Sequence, residues 1–206
     1  MKCQLPALIA SSLAWVAGSC FGETPKSAPS ELGSLLAPDE TLVIFRRADL
    51  NGDGRQDFIF VVQTPSKGTK DECFKANRTL RIALRQANNT LRVVKSNSRS
   101  IMCHEDGGVF GDPLDSIKGN ARGFVISHAG GGNCRWASQF TFLYSRKDAD
   151  WYLLHAYHSQ SHACEPESRR AHTVQQFRYP EQFPRIMFAD FDAEIMGTLL
   201  AKGHAP

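Results

Sequence analysis

Between residues 80 and 93 the chain alternates. Leu80, Ile82 and Leu84 are interleaved with Arg81, Ala83 and Arg85, and beyond Asn88 and Asn89 the residues Leu91 and Val93 alternate with Thr90 and Arg92. A period of two puts every second side chain on one face of an extended strand, so this pattern reads as a hairpin with one face turned to a core. Phe140, Phe142 and Tyr144 repeat it against Gln139, Thr141 and Leu143. The runs DFIFVV and WYLLHAY are apolar on both faces, as expected of central strands covered on both sides. TLVIF and GFVISH add two more strands, and fainter patterns lie at 173–179 and 185–188. Helical signals are confined to the ends: SELGSLL after a serine cap, and FDAEIMGTLLAKG with an aspartate cap and a closing glycine. The expectation is a mainly β domain of about seven or eight antiparallel strands with short terminal helices. Sandwich, meander and propeller-like sheet all fit this pattern.

One turn in this series is unusual. RRADLNGDGRQDFIFVV places oxygen-bearing side chains at positions 1, 3, 5 and 9 of a loop counted from Asp49: Asp49, Asn51, Asp53 and Asp57. Position 7 is Arg55, which offers only its backbone carbonyl, and Gly54 at position 6 allows a sharp turn. Three carboxylates so close together repel one another, and hard oxygen donors in a tight wrap suit Ca²⁺ better than a softer metal. The expected cofactor is a structural calcium ion. The match to an EF-hand stops at position 12, where the bidentate glutamate is replaced by Phe60 and the chain continues as a strand. FADFDAE, with Asp190 and Asp192, lacks the glycines of such a loop.

These residues resemble the strand–loop–strand calcium sites of FG-GAP and VCBS-type repeats, in which D-x-[DN]-x-D-G-x-x-D closes on its ninth position. Such loops usually occur in arrays, whereas this chain carries one. Further on, GGVFGDPLDSI, GFVISHAGGG, RWASQFTFLY and DWYLLHAY resemble a group of small exported bacterial proteins, several of them lipoproteins, that also begin with a DLNGDG hairpin. That resemblance spans roughly residues 41 to 160. It implies a bacterial envelope location and no known catalysis.

The N-terminus supports export. Lys2, an apolar stretch from Leu5 to Val16, and the small residues Ala17, Gly18 and Ser19 form a secretory signal pattern over residues 1–19, with cleavage after Ser19 or Gly22. Ala17-Gly18-Ser19-Cys20 also resembles a bacterial lipobox, which would make Cys20 a lipidation site, although Ala17 stands where a leucine is usual. The expected location is the periplasm, or the outer membrane as a lipoprotein. A Pro/Ser-rich tether over residues 20–38 then precedes a single domain, 39–206.

Beyond Cys20 the chain has four cysteines, Cys73, Cys103, Cys134 and Cys164. In an oxidising compartment four cysteines suggest two disulfides. Cys73 and Cys103 flank the Asn88–Asn89 turn symmetrically, and Cys134 and Cys164 flank the turn at 148–150 in the same way. Residues equidistant from a hairpin turn face each other. The expected bridges are therefore Cys73–Cys103 and Cys134–Cys164.

An active site is harder to find. His158 and His162 share a face if both lie on a strand, but they then stand about 13 Å apart, too far for one ion. Ser127-His128 lacks a nucleophile elbow, and Ala129 to Asn133 lacks the lysine and helix of a phosphate loop. Glu105 and Asp106 are neighbours on a loop, and Gly111-Asp112-Pro113 reads as a turn. The glycine run borders Asn133, Arg135 and Trp136, a combination suited to gripping a protein partner. The net charge of +3 gives no reason to expect nucleic acid. The sequence thus points to a non-enzymatic, calcium-binding envelope protein that binds another envelope or secreted protein, with an immunity or inhibitor protein as one form of that role. Its alternatives are an envelope hydrolase built on a histidine/acid cleft and a purely structural envelope component.

Overall fold

The computed structural model describes residues 29–65, 78–162 and 172–203. The expected signal peptide, Cys20, Cys73 and Cys164 lie outside the described residues. The domain is mainly β, as its alternation predicts, with nine antiparallel strands in two sheets among the described residues. The first sheet contains β1 (Thr41–Ala48), β2 (Asp57–Gln63), β3 (Arg78–Arg85) and β4 (Leu91–Asn97), in that order. The second contains β5 (Leu114–Asn120), β6 (Gly123–Gly131), β7 (Cys134–Ser145), β8 (Asp150–His162) and β9 (His172–Arg178), again in chain order. Each sheet is a meander in which every strand pairs with its neighbour in sequence.

The two meanders share one core. Ile59, Val61, Leu80 and Ile82 from the first pack in the same cluster as Phe124, Ile126, Phe140, Phe142, Trp151 and Leu153 from the second. The opposite face of the first sheet is also covered: Phe58, Phe60, Val62 and Ala83 pack with Leu32, Leu35 and Leu36. DFIFVV is therefore buried on both faces, as expected. Each fully buried large apolar side chain contributes about 1.5–3 kcal/mol. The shared cluster, with most of the buried aromatics, dominates the stabilisation.

Several expectations are corrected. Residues 29–38, assigned to the tether, are already part of the fold, because α1 (Ser30–Gly33) sets Leu32 at 0% exposure against β2. The N-cap is Pro29 rather than a serine, and it makes no side-chain cap. WYLLHAY is fully buried on one face only, at Trp151, Leu153 and Ala156. The segment 185–188 makes only an isolated bridge, between Tyr152 and Met187. The C-terminal helix, α2 (Ile195–Gly203), follows Asp192, whose Oδ1 accepts the Glu194 amide and whose carbonyl accepts the Ile195 amide. No helix among the described residues is long and apolar enough to cross a membrane.

The hairpin registers place two of the four cysteines. The β3–β4 ladder ends at Leu80 opposite Asn97, and Cys103 is buried beyond it in the β4–β5 connection. In the second hairpin an extra residue, Leu154, shifts the ladder, so Cys134 lies opposite His162. Cys164 is two residues further along the chain. Both pairings involve a cysteine outside the described residues.

The alternating directions of the strands separate two ends. At one, the Arg122 amide donates to the Asp49 carbonyl (3.0 Å), Arg146 donates to the Gly52 carbonyl (3.3 Å) and the Arg85 amide donates to Asp57 (2.9 Å). The β1–β2, β3–β4, β5–β6 and β7–β8 turns thus gather around the aspartate loop. The other four connections begin and finish at the opposite end.

Candidate functional site

At the aspartate end, backbone amides fill the loop. Asp49 Oδ1 accepts from Gly52 (2.8 Å) and Asp53 (3.0 Å), and its Oδ2 accepts from Gly54 (2.8 Å). Asn51 Oδ1 accepts the Asp53 amide at 3.1 Å, and Asp53 Oδ1 accepts the Arg55 amide at 2.9 Å. Gly52 has φ +74°, and a Cβ there would stand 2.5 Å from the Arg122 side chain, so the position needs glycine on both counts. Asp57 is fully buried and bridges two turns, accepting from Leu50 (3.0 Å) and Arg85 (2.9 Å).

Charge is distributed unevenly among these groups. Burial pushes the Asp57 carboxyl up, and the nearby Asp53 and Asp49 charges add to this, outweighing the two amide hydrogen bonds. For Asp53, burial works upward but is overcome by hydrogen bonds from Arg55 and Asn51 and by the Arg55 charge, leaving the carboxyl below its ordinary value. The Arg55 guanidinium pairs with Asp53 Oδ2 at 2.8 Å. Arginine and amide hydrogens therefore supply part of the positive charge that the sequence argument assigns to a cation. Among the described residues, no three His, Cys, Asp or Glu side chains form a group that could hold a metal ion. The donor chemistry still suits Ca²⁺: hard oxygens are concentrated here, and Asp49 Oδ2, Asp53 Oδ1 and both Asp57 oxygens accept one hydrogen bond each and retain a second lone pair.

At the opposite end, two glycine-rich segments interlock. The β4–β5 connection meets the β6–β7 tip through a parallel bridge between Gly108 and Gly131. The Val109 amide donates to the Gly131 carbonyl (3.1 Å), and the Gly131 amide donates to the Gly107 carbonyl (3.0 Å). The contact is too close for side chains: a Cβ on Gly130 would lie 2.8 Å from the Gly107 Cα. Arg78 clamps the base of the connection, reaching both Asp112 oxygens at 2.7 and 2.6 Å.

This junction displays apolar surface. Val109 is 82% exposed and Phe110 is 55% exposed. Arg135 lies over the Phe110 ring at 5.3 Å, and Asn133 is exposed at the adjoining tip. Trp136 is half-buried opposite Gly130 in the ladder and belongs to neither core cluster. The structure thus brings Asn133 and Arg135 together with two residues that the sequence argument overlooked. Their signal was VF between glycines, an apolar pair with no alternating neighbours.

Among the described residues, the histidines form no open cleft. His128, Ser138 and His158 lie in one row across β6, β7 and β8, with Ser138 Oγ 2.9 Å from His158 Nδ1. Ser138 is only 4% exposed, however, and His128 is fully buried. Burial lowers the His128 imidazole to about 4; Asp112 opposes the shift and Arg78 reinforces it. Glu105 is exposed on the β4–β5 connection, 3.6 Å from His104. Comparison of the chain with protein-family models, with curated proteins and with solved structures finds no match in any of the three.

Proposed function

We propose that this chain is a non-enzymatic, calcium-stabilised β-domain of the bacterial envelope whose task is to bind another envelope or secreted protein. The observation that carries this reading is the exposed Val109–Phe110 pair, held on interlocked backbone beside Asn133 and Arg135. An apolar anchor that is already ordered loses little conformational freedom on binding, and aromatic and arginine side chains are the usual centres of binding energy. An immunity or inhibitor protein against an envelope-directed toxin or hydrolase is one concrete form of this function.

Calcium has a structural role in this proposal. Asp49, Asn51, Asp53 and Asp57 with the Arg55 carbonyl would hold the ion, with a dissociation constant on the order of 10⁻⁴ to 10⁻³ M, as in extracellular modules. Disulfides Cys73–Cys103 and Cys134–Cys164 would fasten the opposite end, and Cys20 would carry a lipid if the chain is anchored.

The test is capture from envelope and secreted proteins in calcium on the immobilised mature chain, alongside a Val109→Ser/Phe110→Ser variant. The proposal predicts a partner retained by the wild type and lost by the variant. Equal retention by both, or no retained protein, would count against it.

A further inference from the structure

His128 occupies an unusual position under the β4–β5 connection. Its side chain is fully buried. Nε2 faces the Met102 backbone amide at 3.4 Å, and buried Nδ1 has no hydrogen-bond partner. An amide is only a donor, so Nε2 must act as acceptor and the imidazole must be neutral. An imidazolium has two donors and no acceptor. In this pocket one N–H would point at another N–H and the second would find nothing. Protonation of His128 therefore disfavours the closed position of Met102 on hydrogen-bond chemistry.

We propose that His128 is an acid-sensitive latch: protonation releases the β4–β5 connection, residues 98–113, from the sheet beneath it.

The surroundings favour release over rearrangement in place. Arg78 on β3 is the nearby cation and repels an imidazolium. Asp112 is the nearby anion, but both its oxygens are held by Arg78, and Oδ1 also accepts the Leu114 amide at 2.9 Å. His104, on the same connection, adds positive charge near Asp112 when protonated. From β7, the neighbours of His128 are the Phe140 ring and neutral Ser138; His158 lies beyond Ser138 in the same row. β5 presents Leu114 opposite His128. No free carboxylate in this set is available to receive the new proton's charge.

The size of the effect follows from linkage. A released imidazole has its ordinary value of 6.5, against about 4 when latched. The opening equilibrium should then rise about 30-fold between pH 8 and pH 5. Val109 and Phe110 sit on the released connection, so acid would weaken partner capture if the proposed function holds. The latch itself does not depend on that reading.

The experiment is amide hydrogen exchange on the intact chain from pH 8 to pH 5, corrected for intrinsic exchange rates. It follows the Met102, Val109 and Gly131 amides, with the β2–β3 ladder as reference. The expected result is protection of the connection falling about 30-fold relative to the reference, and no such fall in a His128→Phe variant. An NMR titration of His128 in the wild type keeps the test valid if the variant does not fold. Protection independent of pH, or His128 titrating near 6.5 with the connection still closed, would overturn the proposal. Because no partner is involved, failure here is distinct from failure of the binding reading.

Discussion

Arg55 stands at the seventh position of the aspartate loop, and its side chain pairs with Asp53 while its amide donates to the same carboxylate. In the calcium reading, only its carbonyl is a ligand, and its guanidinium competes with the ion for Asp53. Exposed pairs of this type contribute about 0.2–1 kcal/mol. Arg55→Ala should therefore tighten calcium binding by up to about fivefold, as measured by calorimetry. Asp57 presents the opposite situation. Its carboxyl is raised by burial and by its acidic neighbours, so ionising it costs stability as pH rises through its folded value, a cost that a bound cation would reduce. The spacing of Asp49, Asn51, Asp53 and Asp57 was legible in the sequence. The arginines that approach them, Arg85, Arg122 and Arg146, were not, because they come from three other turns.

At the level of elements, the interlocked connections depend on backbone that only glycine supplies. Gly131 has φ +112°, and a Cβ there would stand 2.0 Å from the Cys134 carbonyl oxygen. Gly131→Ala should destabilise the domain by about 1–3 kcal/mol in urea unfolding. It should also remove protection at the Val109 amide, which donates to the Gly131 carbonyl. Strands with strict alternation, such as β3 and β7, could be read directly from sequence. β5 could not: of its seven residues only Ile117 is buried, which leaves no periodic signal. The segment 185–188 meets β8 through a single bridge and two backbone hydrogen bonds, too short a pairing to make a strand, while Phe188 packs against Phe124 and Phe142. The Val109–Phe110 surface was missed because its order comes from Gly131, 22 residues away from Val109.

For the whole molecule, His128 links stability to pH. Its folded value lies below its unfolded one, so the unfolded chain takes up the proton first, and stability falls as pH drops from 6.5 towards 4. Urea unfolding should show the wild type losing about 2 kcal/mol between pH 8 and pH 5 from this group, a slope that His128→Phe should remove. In the proposed function the two ends have separate tasks: the aspartate loop would stabilise the domain through a cation, and the Val109–Phe110 end would recognise a partner. Thermal unfolding of the wild type, Asp53→Ala and Phe110→Ser, each in calcium and in chelator, tests that division most directly. Calcium should raise the wild-type melting temperature, Asp53→Ala should lower it in calcium with little change in chelator, and Phe110→Ser should respond to calcium as the wild type does. A wild-type melting temperature unmoved by calcium, or equal losses for Asp53→Ala in both conditions, would contradict the account.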